Sequence, residues 1–181
     1  MKDRRRLTLI GIILAAAAMR LLPHPPNFTP VGAIALFGGA WFRDRRAAFA
    51  VPLAAMVLSD IVLGLFLYPA EAFHRTMPFV YAALALTVVV GRWVGPRVAP
   101  GRVAAASFAG SVLFFVVSNL GVWAAGGLYP GTPGGLLACY AAAVPFFGNT
   151  VLGDALYNLV LFGGFALAQR WAPVLREREG R

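Results

Sequence analysis

The sequence predicts an all-α integral membrane bundle of six transmembrane helices with both ends on the cytoplasmic side, and three observations carry that prediction. Hydrophobic residues make up 60% of the 181 residues and charged residues 13%, against about half and about a quarter in an ordinary soluble domain. The apolar residues run in stretches of membrane-spanning length. The basic residues, which give a net charge of +9, punctuate those stretches and fall mostly on one side. A nucleic-acid reader gathers its basic residues on one solvated face, so this spacing excludes nucleic acid and points to membrane topology.

A membrane helix needs about 20 apolar residues because every backbone group must be satisfied inside the hydrocarbon. Six segments qualify in order: Leu7 to Leu22, Pro30 to Phe42, Ala47 to Tyr68, Met77 to Val94, Val103 to Ala125 and Asn149 to Gln169. The second reaches only about 20 Å at ~1.5 Å per residue, so it is expected to be a half-buried or tilted short span. The apolar run from Gly135 to Gln169 is too long for one crossing, and Pro145 with Gly148 divides it. Gly135 to Val144 is therefore expected as a separate outer-surface or partly inserted helix. The loops are too short to build a second core, which makes 1–181 a single transmembrane domain with short charged cytoplasmic ends at 1–6 and 170–181.

Of the 16 basic residues, all but Arg20 and Arg75 fall on one side of this map: at the amino terminus, in the 43–46 turn, in the 92–102 loop and in the tail. Lys and Arg collect in cytoplasmic loops, which fixes that side as the inside; the expected location is the inner (cytoplasmic) membrane. A competing reading makes Lys2 to Ala18 a cleaved signal peptide. The continued apolar run through Leu21 and Leu22 favours an uncleaved first helix.

Ionisable residues inside a span are costly and are candidates for function. Asp60 lies about 20 Å up the third span from its inner end and Asp154 within about two turns of the outer end of the sixth, so both belong to the outer half. Asn119, Asn149 and Asn158 join them, and Asp154 and Asn158 share one helix face at i, i+4 with Thr150 continuing it. The convergence suggests an outward-facing polar pocket. Asn27, in the proline-stiffened loop His24 to Pro30, and Trp123, beside the Gly-rich loop 126–135, complete the candidate binding set. The proline loop suits a lid, or a compact turn that starts a short helix. Hydrogen bonds between helices that only fix packing are the alternative for the intramembrane polar groups.

No enzyme is expected. The sequence has no Gly-rich phosphate loop ending in Lys-Ser or Lys-Thr, and Ser59 beside Asp60 is not a clustered nucleophile and base. His24 and His74 stand in separate loops without a metal-ligand pattern, and the single Cys139 excludes an intramolecular disulfide. No cofactor is expected.

The blocks Pro26-Asn27-Phe28-Thr29-Pro30, Leu58-Ser59-Asp60-Ile61-Val62-Leu63-Gly64, Ser118-Asn119-Leu120-Gly121-Val122-Trp123 and Pro145-Phe146-Phe147-Gly148-Asn149-Thr150, leading into Gly153-Asp154, resemble a family of small bacterial membrane proteins of unassigned function. That family in turn looks like the substrate-binding S components of energy-coupling-factor vitamin transporters. The resemblance implies a six-helix capture subunit for a small vitamin-like or cofactor-precursor molecule, with a pocket capped by the first loop. It also implies a transmembrane coupling protein and ABC-type ATPases in trans, docked through small residues of the first helix, which here are Gly11, Ala15 and Ala18. The runner-up is a scaffold protein of an envelope complex with no ligand pocket, and a third reading is a proton-coupled carrier using Asp60 and Asp154.

The topology has a direct test. A cysteine at Pro130 should be labelled from outside intact cells, whereas one at Arg45 should react only after permeabilisation, and the reverse pattern would overturn the orientation.

Overall fold

The structure, a computed structural model, describes residues 2–67, 74–95 and 98–176. The predicted end of the third span at Tyr68, the loop residue Arg97, and Arg178 and Arg181 in the tail lie outside the described residues. Among the described residues the secondary structure is entirely helical: α1 (Lys2–Ala18), α2 (Val31–Trp41), α3 (Arg45–Val62), α4 (Met77–Val94), α5 (Pro100–Ala125), α6 (Pro133–Asn158) and α7 (Gly164–Trp171). Four helical stretches are long and apolar enough to cross a membrane: Arg45–Leu67, Met77–Val94, Pro100–Ala125 and Pro133–Trp171. Each predicted segment falls on a helix, and Val31–Trp41 is the short apolar one.

Two expectations need correction. The first concerns the half-burial of α2, expected as a half-buried or tilted short span. It is instead the centre of the bundle, in contact with α1, α3, α4, α5 and α6, and nine of its residues, Val31, Ala33 to Gly39 and Trp41, are buried. A helix that is apolar all round is stable only when it is covered all round. Glycines let the neighbours come that close. A methyl group added at Gly39 would overlap the carbonyl oxygen of Val88, and one at Gly91 would overlap that of Leu36, so α2 and α4 touch backbone to backbone. On the α3 side, Gly38 makes room for the ring of Pro52. Helices in lipid gain no hydrophobic drive from each other, and close van der Waals packing of small residues takes its place.

The second correction concerns the division at Pro145. Pro133–Trp171 is one helical stretch of 39 residues, with Pro145 inside α6 and a π-helical turn, Leu159–Gly163, joining α6 to α7. Proline removes one backbone hydrogen bond, but membrane helices tolerate it where neighbours hold the flanks. Both flanks are held by α5. On one side the Tyr140 hydroxyl donates to the carbonyl of Val116 at 2.6 Å, and on the other Phe147 packs on Phe115 with ring centroids 5.0 Å apart. At about 1.5 Å per residue the rod is nearly 60 Å long, about twice the hydrocarbon thickness.

The helix starts follow ordinary capping chemistry. Asp44 accepts from the backbone N–H of Ala47 at 2.8 Å to begin α3, and Thr132 accepts from Gly135 at 3.1 Å to begin α6. A rim of basic and aromatic residues forms one end of the bundle. There the Arg5 guanidinium lies 5.8 Å from the Trp41 ring centroid, Arg92 donates to the carbonyl of Phe42 at 3.5 Å, and Arg102 donates to that of Trp93 at 2.7 Å. Phe37 and Trp41 of α2 meet Phe165 edge to face, at 5.7 and 4.8 Å, and lock α7 to the core. The opposite end carries the 22–30 connection and the start of α4.

Gly91→Val should therefore lower the stability of the purified protein by about 1–3 kcal/mol through overpacking, read as thermal melting in detergent. Gly164→Ala, where nothing lies within 4 Å of an added methyl group, should leave melting unchanged or raise it.

Candidate functional site

The end of the bundle opposite the basic rim holds a partly open cavity of about 270 Å³, whose lining includes Arg20, Asn27, Thr29, Asp60, Thr150 and Asp154. Its roof is the proline loop. Asn27 there has φ of +62°, a left-handed conformation that asparagine tolerates better than other side chains. Three residues of α6 spaced four apart fasten the loop. The Asn149 amide donates to the carbonyl of Pro26 at 3.0 Å, Gly153 lets the backbone of Phe28 and Thr29 come to 3.2 Å from where a methyl group would sit, and Tyr157 packs its ring 6.0 Å from that of Phe28. The loop thus lies along one face of α6 while the adjacent face, with Thr150 and Asp154, looks into the cavity.

One wall is an ion pair. Arg20, in the single 3-10 turn that ends α1, places Nη1 2.7 Å from Oδ1 of Asp60. The same nitrogen contacts Ser59 Oγ and sits 3.0 Å from Met56 Sδ. The Tyr81 hydroxyl of α4 donates to the other Asp60 oxygen at 2.6 Å. Asp60 is thereby neutralised and hydrogen-bonded from both sides. Directly after it, α3 widens into a π-helical turn, Leu63–Leu67, and Leu63 lines the cavity.

The facing wall is different. Asp154 is 4% exposed and accepts a hydrogen bond from Ser111 Oγ at 2.6 Å and one from the backbone N–H of Ala33. That N–H belongs to the first turn of α2, whose own N-cap residue, Pro30, offers no side-chain cap. Asp154 therefore supplies from another helix the acceptor that a helix start requires. Gly32 is the residue that admits it, since a methyl group there would overlap the carboxylate. No cation stands within ion-pair distance of Asp154 among the described residues.

The other predicted site residues separate. Asn149 fastens the roof. The Asn158 amide, one turn below Asp154, donates to Ser107 Oγ at 2.9 Å and borders a second, largely apolar groove of about 550 Å³ between α5 and the α6–α7 rod. Its side-chain oxygen is buried without a hydrogen-bond partner. Asn119 donates to the carbonyl of Phe115 on its own helix at 2.8 Å, and Trp123 donates to the carbonyl of Pro130 at 3.0 Å, bracing a loop. Neither lines the cavity, because each amide or indole N–H is satisfied locally. Gly11, Ala15 and Ala18 all sit on the exposed face of α1.

Sequence reasoning did not assign a site role to Arg20, Tyr81, Ser107 or Ser111. For the serines a signal existed: Ser107 and Ser111 repeat at i, i+4 on α5 as Asp154 and Asn158 do on α6, and two such pairs form a ladder when the helices pack.

A family model described as a family of unknown function, DUF6580, matches residues 1–175. The chain belongs to that family. No curated protein and no solved structure matches it. For this DUF6580 chain, the site is accordingly judged on its own geometry.

Removing one partner of a buried ion pair leaves the other uncompensated, at a cost of about 3–5 kcal/mol. Arg20→Met should destabilise the protein by that order in detergent melting, and Arg20→Met combined with Asp60→Leu should regain most of it. A double variant as unstable as the single one would show that the cluster does not act as a pair.

Proposed function

We propose that this protein is a substrate-capture membrane subunit, similar in role to the S components of energy-coupling-factor transporters, taking up a small vitamin-like or cofactor-precursor molecule. The observation that carries the reading is the roofed cavity: polar groups of α1, α3 and α6 meet under a loop fastened to α6, where a scaffold protein needs only a filled bundle. A volume of about 270 Å³ lies near the lower end of the range for small-molecule sites.

In this reading the chain crosses the inner membrane six times with both termini inside. α1 and α2 provide the two crossings besides the four long apolar stretches. The basic rim then faces the cytoplasm and the cavity faces outward. A separate coupling protein and ABC-type ATPases supply the energy. The exposed stripe of Gly11, Ala15 and Ala18 on α1 suits close helix contact with that coupling protein, and nothing lies within 4 Å of a methyl group added at Gly11.

Gentle extraction from the host membrane tests the proposal. The protein should bring down a transmembrane coupling partner and ATPase subunits. Ala15→Leu, on the outward face, should reduce that association several-fold while leaving the melting temperature of the isolated subunit unchanged. Consistent failure of the unmodified protein to associate with such subunits would refute the mechanism.

A further inference from the structure

We infer that the cavity selects a cationic ligand, a protonated amine or a positively charged heterocycle, and that Asp154 is the group that receives it. This inference rests on the capture reading and names the class of molecule captured.

The argument is a comparison of two carboxylates that face the same space. Asp60 and Arg20, 2.7 Å apart, cancel as formal charges, and Tyr81 completes the hydrogen bonding of Asp60. Asp154 holds two neutral donors, Ser111 Oγ and the Ala33 N–H, and an ionised carboxylate has about four acceptor positions. The amino-terminal end of α2 offsets only about half a charge. Among the described residues the formal charges of the lining are those of Arg20, Asp60 and Asp154, which sum to one negative charge, incompletely balanced and, at Asp154, almost removed from water. Charge in such a site acts over several ångströms with little screening. A bound cation supplies the missing partner, whereas a bound anion adds a second uncompensated charge.

The geometry favours a ligand that spans the cavity. Asn27 and Thr29 from the roof and Thr150 one turn from Asp154 offer hydrogen-bonding groups, and Val31, Met56, Leu63, Val80 and Phe114 supply apolar wall. A positively charged group near Asp154 with a compact, partly apolar body matches this distribution.

Charged thiol reagents test the inference in place of the natural ligand. Thr150→Cys places a thiol on the lining, and the chain with Thr150 intact gives the blank for buried Cys139. Modification rates are measured with methanethiosulfonates bearing a trimethylammonium, a sulfonate or a neutral methyl group, each normalised to its rate with free 2-mercaptoethanol. The ammonium reagent should react about tenfold faster than the sulfonate, a ratio worth about 1.4 kcal/mol. Asp154→Asn, which keeps an acceptor for Ser111 and Ala33, should abolish most of that preference. Met77→Lys, which adds a cation to the lining without altering Asp154, should abolish it as well, so the result does not depend on one variant folding. Equal rates or a preference for the sulfonate would overturn the cationic class while leaving the capture reading standing, because the reagents would have entered. A preference that survives both variants would overturn the assignment to Asp154. No reaction with any of the three, the neutral one included, would mean a cavity closed to solutes and would overturn the capture reading together with this one.

Discussion

Every helix from α1 to α6 takes its position from the eleven-residue helix α2, and α2 can hold that position only because glycine lets its backbone lie against its neighbours. Where Gly39 meets Val88 and Gly91 meets Leu36, the approach of α2 to α4 is set by main-chain atoms, which have no rotamers through which to yield. The glycine contacts therefore act as fixed points. Dispersion forces summed over so close a contact replace the hydrophobic drive that lipid does not supply.

The polar site is a consequence of the same arrangement. A helix begun in the middle of a bundle has free N–H groups with no water to satisfy them, and α2 begins at Val31, beneath the proline loop. Asp154 answers that requirement from α6, admitted by Gly32. The carboxylate is thus drawn to the cavity by the needs of the backbone, and with no cationic partner among the described residues it differs electrically from the Arg20–Asp60 wall opposite. Its two donors leave further acceptor positions of the carboxylate unused.

Asn158 and Asn119 show why polar residues at neighbouring depths need not share a site. Both lie on the two helices that flank the serine ladder, yet Asn158 turns to Ser107 and borders the apolar groove, and Asn119 bonds back along α5. An asparagine in a helix can satisfy its amide on the carbonyl one turn earlier, whereas an aspartate has no donor for that carbonyl and must find donors elsewhere. Asn119 takes that local route, whereas Asp60 and Asp154 accept from donors on other helices.

The sequence by itself determined the all-helical architecture with its long apolar helices, and the membership of Asp60, Asp154, Thr150 and Asn27 in one polar region. These follow from composition, from the length of apolar runs and from i, i+4 spacing, which are local properties of the chain. It did not determine that α2 is the core, because an apolar segment of that length reads the same whether lipid or protein surrounds it. Nor did it determine that helix continues through Pro145, since that depends on Tyr140 and Phe147 being held by α5 on either side. The pairings of Arg20 with Asp60 and of Ser111 with Asp154 span 40 and 43 residues. Only tertiary packing could decide them, because each unites groups that no local periodicity relates.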